Sequence, residues 1–342
     1  MPILPTLNAH VFAASFIGLT LTPGAWTIAN VPLDELTADV ISGKAQRLYE
    51  ERFDASFPMR DTLRQSWAAV KYGALGELAE GAVAGRDGVL FTAEEFAAPA
   101  DSRDFASELR AVTSRVRKAG AELIPVIVPD KARMRGDVLP RARSARFNAR
   151  YDHLLTIIAE AGLRSVDLRP ALTGPQAFMA TDTHWSPEGA AAVADRIGAL
   201  LEGEIAATAT FETAQIGTRA FDGDLLAFVD TGVWRPLVGP APEVIATYET
   251  TQAGDAGMDL FGDAETPVAL VGTSYSARTD FHFTGFLKSA LNADVISFAM
   301  EGRGPFIPMD RFLDGDALSD LTPQIVLWEI PERYLDTWSQ DQ

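Results

Sequence analysis

Two short motifs, far apart in the chain, carry residues that could act on one another: Asp182-Thr183-His184-Trp185 and Gly272-Thr273-Ser274-Tyr275-Ser276. Together they supply a hydroxyl, an imidazole to take its proton and a carboxylate to orient the imidazole, the parts of an activated serine nucleophile. At a spacing of two residues in an extended loop, Asp182 and His184 project to the same side, so the carboxylate can hold one imidazole tautomer. Of the four histidines, His10, His153, His184 and His282, only His184 has an adjacent carboxylate in a loop context. Each motif alone has a plainer reading, with Asp182 capping a turn while His184 packs on Trp185, and Ser274 capping a strand-to-helix turn. Ser276 is the alternative nucleophile, further from the glycine turn. The pair together points to acyl transfer.

The elements around the motifs must bring them to one place. Ser186-Pro187-Glu188 reads as a helix start, with Ser186 as N-cap and Pro187 at the first helical position, and the alanine-rich stretch to Leu201 continues it. Asp182 and His184 therefore lie on the loop just before a helix. Val268-Ala269-Leu270-Val271 is continuously apolar, as expected of a central strand buried on both faces, and it ends at Gly272-Thr273-Ser274. Residues just beyond the carboxyl end of such a strand line the crevice where α/β proteins place ligands. Gly272 can take a backbone conformation closed to other residues, presenting Ser274 above the sheet with its N–H available to an oxyanion.

The rest of the chain alternates as a parallel α/β fold does. Helices are expected at Leu36 to Glu51, Arg60 to Tyr72, Ser102 to Ala119 (capped by Ser102, stopped at Gly120) and Arg146 to Ala161. Val83 to Phe91 reads as two short strands around Asp87-Gly88, a pair that favours positive φ. Leu123 to Val128, Arg164 to Leu168, Val295 to Ala299 and Gln324 to Leu327 read as strands. The alternation implies a doubly wound parallel sheet with helices on both faces. Residues 205 to 262 interrupt it with short β-like pieces, including Phe221 to Leu226 and Gly232 to Pro236, and read as a small β-rich insertion beside the cleft.

Composition bounds the function. The 342 residues, 47% hydrophobic, can bury a large core. Acidic residues outnumber basic ones 47 to 29, for a net charge of −18 with no basic cluster, which argues against a nucleic-acid partner. A polyanionic substrate would meet general repulsion and need local arginine or lysine at the cleft. The absence of cysteine excludes disulfides, thiolate catalysis and cysteine-ligated metals. Val11 to Ala29 is a run of 19 uncharged, mostly apolar residues, and the first charged side chain is Asp34. That length suits a signal anchor or exported leader, against which stand Gly18, Pro23-Gly24 and the lack of a preceding Lys or Arg. A buried N-terminal helix is the alternative.

Six motifs in order resemble those of the SGNH-hydrolase-like alginate O-acetyltransferases of the AlgJ/AlgX type. They are Phe57-Pro58-Met59-Arg60-Asp61, Gly85-Arg86-Asp87-Gly88-Val89-Leu90-Phe91, the two motifs above, Glu301-Gly302-Arg303-Gly304-Pro305-Phe306 and Trp328-Glu329-Ile330-Pro331-Glu332-Arg333. The resemblance covers most of residues 45 to 335 and implies a permuted SGNH-hydrolase-like fold. It implies a leader or anchor at 1–34 and an acetyltransferase domain over 35–342. The family's triad falls on Asp182, His184 and Ser274, with the serine last, the reverse of GDSL-type esterases. Arg303 matches a family arginine near the substrate cleft, where it would hold an acceptor carboxylate or offset oxyanion charge; the plainer reading is a surface arginine in a Gly-rich turn. Tyr275 either lines the pocket or is a buried aromatic, and backbone N–H groups from Thr273 to Tyr275 are expected to hold the oxyanion. His282 stands where the family often has Asn, and Glu329 is read as structural.

The same resemblance implies an acetyl-serine intermediate, an exopolysaccharide acceptor such as alginate, and a membrane-bound acyltransferase partner as acetyl donor. It places the protein in the periplasm, anchored to the inner membrane through its N-terminus, and calls for no cofactor or metal. With nine residues after Arg333, the shorter branch without a carbohydrate-binding module is expected. A carbohydrate acetylesterase with the same triad, or a non-catalytic glycan-binding subunit of an export complex, are the rival readings.

Overall fold

A computed structural model describes residues 18, 21–32, 42–99, 103–205, 209–253 and 267–335. Its contacts group the chain into two units, Met1–Leu75 with Asp230–Gly239, and Gly76–Val229 with Pro240–Gln342.

In the smaller unit the chain is helical at 21–30, in α1 (Lys44–Ser56) and in α2 (Arg60–Val70), which runs on into a π-helical turn at Lys71–Leu75. The expected helix Leu36 to Glu51 is seen as α1 from Lys44, with 36–41 outside the described residues, as are 11–17, 19 and 20 of the apolar run from Val11. No helix among the described residues is long and apolar enough to cross a membrane. Gly232–Trp234 and Arg235–Val238 are helical turns, not β-like pieces. The cause is local: Trp234 N–H donates to Thr231 O, Pro236 suits a first helical turn, and the Trp234 indole N–H reaches Ser66 Oγ at 3.0 Å.

The larger unit holds the sheet. Strands β1 (Ala82–Ala84) and β2 (Leu90–Thr92) form an antiparallel hairpin, and both Asp87 (φ 56°) and Gly88 (φ 76°) take the left-handed conformation that its turn requires. Helix α3 (Phe105–Lys118) is capped by Asp104, which accepts from Ala106 N–H at 3.1 Å; the expected cap, Ser102, lies outside the described residues. Gly120 stops it at φ 88°. Strand β3 (Glu122–Val128) follows, then α4 (Ala145–Glu160) capped by Ser144, and α5 (Pro187–Leu200) capped by Ser186. Two long antiparallel strands, β4 (Thr210–Phe221) and β5 (Glu243–Ala253), interrupt the alternation. The parallel pattern resumes with β6 (Val268–Val271), α6 (Phe283–Leu291), β7 (Val295–Ser297), α7 (Phe306–Asp314) and β8 (Ile325–Pro331).

The four parallel strands lie in the order β3-β8-β6-β7, so β6 and β8 are central. Pro125 is tolerated within β3 because, among the described residues, that strand is an edge paired only with β8. Arg164 to Leu168 does not join the sheet; Leu168 N–H is taken instead by the Tyr151 hydroxyl at 3.1 Å. Alternate strand residues face opposite cores. Val126, Leu270 and Leu327 pack with α5 and α6, whereas Ile127, Val271 and Trp328 pack with α3, α4 and α7. Helices therefore cover both faces, as the alternation predicts.

Helix α5 sits hard against the loop before it. A Cβ on Gly189 would lie 2.1 Å from the Ala177 carbonyl oxygen and 3.2 Å from Trp185 Cβ. Gly189→Ala must therefore push the helix off the loop, and thermal unfolding should register a loss of about 1–3 kcal/mol. Unchanged stability would mean that the loop yields freely.

Candidate active site

The loop from Phe178 to Trp185 is closed at its base by an antiparallel bridge between those two residues and by Met179 N–H donating to His184 O. At its tip Asp182 is fully buried and His184 nearly so. Asp182 Oδ1 accepts from His184 N–H at 3.0 Å and lies 2.6 Å from Nδ1, while His184 Nε2 lies 2.7 Å from Ser274 Oγ. The three residues read from the sequence are thus brought together in the order carboxylate, imidazole, hydroxyl. The imidazole is fixed between the rings of Tyr275 (centroids 4.7 Å apart) and Phe281 (5.3 Å).

The second Asp182 oxygen is also used. Oδ2 accepts from Asp224 N–H at 2.9 Å and from the Arg278 guanidinium at 3.2 Å. Burial by itself would raise the carboxyl pKa, but the hydrogen bond and attraction to His184, with the Asp224 and His184 N–H groups, bring it down to about 2. Asp182 is therefore held as the anion at neutral pH. Asp182, His184 and Asp224 also form a cluster of the kind that can hold a metal ion. Here the Asp182 oxygens and both imidazole nitrogens are engaged in hydrogen bonds, and the Arg278 cation opposes a second positive charge.

The antiparallel hairpin reaches this loop from two sides. Glu243, at the start of β5, accepts from the Ala180 and Thr181 N–H groups, each at 2.7 Å. Asp224 accepts from Thr183 N–H at 2.8 Å, and Leu225 N–H donates to Thr181 O. Gly223 passes so close that a Cβ there would lie 2.1 Å from Thr181 O. From below, the buried Lys131 ammonium donates to the carbonyls of Ala180 (3.1 Å) and Asp182 (2.9 Å). Burial pulls its pKa down to about 8.

The nucleophile turn follows β6, with Ser274 half-buried at the first position of a short helical turn, Ser274–Ala277. Gly272 is needed here for close approach, since its φ is not positive: a Cβ would lie 2.5 Å from Glu329 Oε2. Glu329, from the middle of β8, is fully buried and receives Thr273 N–H (2.7 Å), the Thr273 hydroxyl and the Ser276 hydroxyl (3.1 Å). Burial among neutral donors raises its pKa to about 7, although the Thr273 and Ser276 bonds oppose the shift.

Two expectations need correcting. Thr273 and Tyr275 are buried and do not face a substrate: Thr273 N–H is spent on Glu329, and the Tyr275 hydroxyl donates to Thr183 O at 2.8 Å. Both shape the turn from inside. Ser274 N–H has no partner among the described residues and is the donor left for an oxyanion. Ser276, the alternative nucleophile, is buried and bonded to Glu329, while the His184 imidazole meets Ser274 instead. Arg303 lies on the loop after β7, exposed and beside a cavity, not in contact with the triad residues. His282 takes φ 53°, a left-handed conformation in which asparagine is also at ease, and its Nε2 meets Thr250 Oγ1 at 2.7 Å.

The model of the family described as "SGNH hydrolase-like domain, acetyltransferase AlgX" matches residues 82–332. "Probable alginate O-acetylase AlgJ" of Pseudomonas aeruginosa is 36% identical over 95% of this chain and 89% of its own length. "Alginate biosynthesis protein AlgX" of Pseudomonas putida is 29% identical over 66% of this chain and 50% of its own length. Among solved structures, the O-acetyltransferase domain of Pseudomonas putida AlgJ superposes with a TM-score of 0.65 at 31% identity, covering 76% of this chain and 96% of that one.

The geometry makes two measurable demands. With Glu329 raised to about 7, the folded protein binds a proton more tightly than the unfolded chain, so this group's contribution declines as pH rises from about 4.5 through 7. Unfolding of Glu329→Gln followed across pH 5 to 8 should gain on wild type by roughly 1–3 kcal/mol as pH increases, and a constant difference would mean that Glu329 does not titrate there. Glu243→Ala leaves the Ala180 and Thr181 N–H groups without their acceptor. It should cost about 2–3 kcal/mol of stability and lower kcat on a small acetyl ester about tenfold with little change in KM, whereas wild-type kcat would show that the loop holds its shape unaided.

Proposed function

The chain belongs to the SGNH hydrolase-like acetyltransferase family of AlgX, and on that premise we propose that Ser274 carries an acetyl group as an ester and passes it to a hydroxyl of an alginate-class exopolysaccharide. The observation that carries this reading is the unbroken run of short contacts from Asp182 to His184 Nδ1, and from Nε2 to Ser274 Oγ. The acceptor class is supported by the alginate named in the relatives above.

In the first half-reaction His184 Nε2 takes the Ser274 proton as Oγ attacks the acetyl carbonyl carbon. The resulting oxyanion is met by Ser274 N–H, and collapse expels the donor's leaving group, which takes the proton back from His184. In the second half-reaction a sugar hydroxyl gives its proton to His184 and attacks the acetyl-serine. Ser274 then leaves, recovering the proton, and the product is the sugar acetate. Asp182, ionised throughout, balances the imidazolium formed in each half. Arg278, bonded to the same carboxylate, keeps that charge in place without touching the reacting atoms.

The acetyl donor in this proposal is a membrane-bound acyltransferase that presents acetyl groups from the cytoplasmic side, within an alginate biosynthesis assembly. The protein would work in the periplasm. Residues 1–34 would serve as leader or inner-membrane anchor and 35–342 as the acetyltransferase domain, with 205–262 inserted. The uncharged stretch from Val11 to Ala29 supports that placement.

Ser274→Ala, compared with wild type in cells exporting the polymer, should bring polymer-bound acetate to background while leaving protein level and melting temperature unchanged. The purified variant should lose about 10⁴-fold or more in turnover of a small acetyl ester. Normal polymer acetylation by that variant would defeat the acetyl-serine mechanism.

A further inference from the structure

The loop that carries Asp182 and His184 lies between opposite charges. In a trans peptide the C=O and the following N–H point in opposite directions. The Ala180 and Asp182 carbonyls face the Lys131 ammonium, at 3.1 and 2.9 Å. On the far side of the same two peptide planes, Thr181 N–H goes to Glu243 at 2.7 Å and Thr183 N–H to Asp224 at 2.8 Å. Each plane, with a dipole of about 3.5 D, thus turns its negative end to a cation and its positive end to an anion. The alternate carbonyls go elsewhere, that of Thr181 to Leu225 N–H and that of Thr183 to the Tyr275 hydroxyl.

The two carbonyls do not depend on Lys131 equally. Ala180 O also receives Leu90 N–H at 2.8 Å, whereas Asp182 O has no other donor among the described residues. The plane joining Asp182 to Thr183 is therefore the one that Lys131 sets. It lies between the carboxylate and the imidazole, whose Oδ1 and Nδ1 are 2.6 Å apart, so its rotation would move one against the other.

Lys131 is itself held. It opens a short helical turn, Lys131–Met134, directly beyond β3. Ala132 N–H donates to the buried Glu95 at 2.5 Å, and the Lys131 ammonium lies 5.5 Å from the centre of the Phe91 ring. Burial opposes the charged form, while the carboxylates of Glu95, Asp182, Glu243 and Asp224 favour it. Packing alone would be met by an apolar side chain of this length at a lower desolvation cost. The geometry points to Lys131 as a positioning residue for the acetyl transfer: acting through the loop backbone, it fixes the plane between Asp182 and His184 and so the line along which Nε2 meets Ser274 Oγ. This rests on the acetyl-serine reading, in which the proton moves along that line.

The test uses the full chain with Lys131→Met, which keeps the unbranched stem and removes the charge and the donors. At neutral pH its kcat on a small acetyl ester should fall roughly 10- to 100-fold, with KM within about twofold of wild type. In protein carrying nitrogen-labelled histidine, the His184 Nδ1–H proton resonance of wild type should broaden or vanish in the variant through exchange with water. Ile158→Ala, a cavity-forming change in α4 within the opposite core, controls for stability: it should lower the melting temperature and leave kcat and that resonance as in wild type. Wild-type kcat in Lys131→Met overturns the proposal, as does a loss that appears in KM, or a His184 resonance that does not change. Equal loss of kcat in Ile158→Ala would mean that stability alone is responsible, and the proposal fails. Should Lys131→Met not fold, Lys131→Leu is judged by the same limits. The resonance involves no turnover, so failure of the Ser274 mechanism would show in the Ser274→Ala assay and not here.

Discussion

The Asp182 carboxylate is the constraint on which the site depends. A buried charge of this kind costs several kcal/mol unless its lone pairs are met, and here four donors meet them. They come from three separate stretches of chain: the Asp182–His184 loop itself, Asp224 between the two hairpin strands, and Arg278 after the nucleophile turn. None of these can shift without leaving part of the charge bare. The hairpin is therefore a structural member of the site and not a decoration on the rim, a conclusion reinforced by Glu243 holding the same loop from its other end.

A second buried carboxylate, Glu329, does the corresponding work beneath Ser274, yet its proton affinity moves the other way. Burial dominates for Glu329 because its hydrogen-bond donors are all neutral, whereas the hydrogen bond and attraction to His184 outweigh burial for Asp182. The two carboxylates divide the labour accordingly: one holds charge opposite the imidazole, the other fixes backbone and hydroxyls. Further along β3 and β8, Asp130 receives Arg143 and Arg150 at 2.6 Å each, and Glu332 receives Arg133 and the Asp130 N–H. These pairs lock the carboxyl ends of the two strands together, directly beside Arg333. The network is not fully matched, since Asp130 Oδ1, Arg143 Nε and Nη1, and Arg150 Nη1 have no hydrogen-bond partner among the described residues.

Sequence carries the sheet well where one signal dominates. The apolar run at Val268–Val271, the Ser186-Pro187 helix start and the Asp87-Gly88 turn each fold as their chemistry dictates. It misleads where tertiary partners decide, as at Arg164 to Leu168, whose alternation suits a strand but whose Leu168 N–H goes to Tyr151. Asp182, His184 and Ser274 were legible because their residue types are rare in such positions. Arg278, Asp224 and Glu243 were not, because each acts through a backbone group or a carboxylate distant in sequence. Glu329, a carboxylate inside a strand whose neighbours are apolar, was legible as structural, but not as the support of the Thr273–Ser276 turn. Tyr275 takes the buried one of its two readings and Thr273 turns inward, because standing next to a nucleophile says nothing of which way a side chain turns.

A serine, an imidazole and a carboxylate in this order do not by themselves choose between water and a sugar hydroxyl, because either can give its proton to His184 and attack the ester. The choice depends on which hydroxyl is held in place. A positioned hydroxyl can act with an effective molarity on the order of 10⁵ M, enough to outrun bulk water, but only while its owner stays bound. The rigidity around Asp182 and Glu329 fixes the enzyme's half of that geometry, and the acceptor's half must come from contacts on the sugar beyond the reacting oxygen. In a chain of net charge −18 a polyanionic acceptor could be held that way only where positive charge is gathered locally, so orientation and local charge have to be supplied by the same contacts.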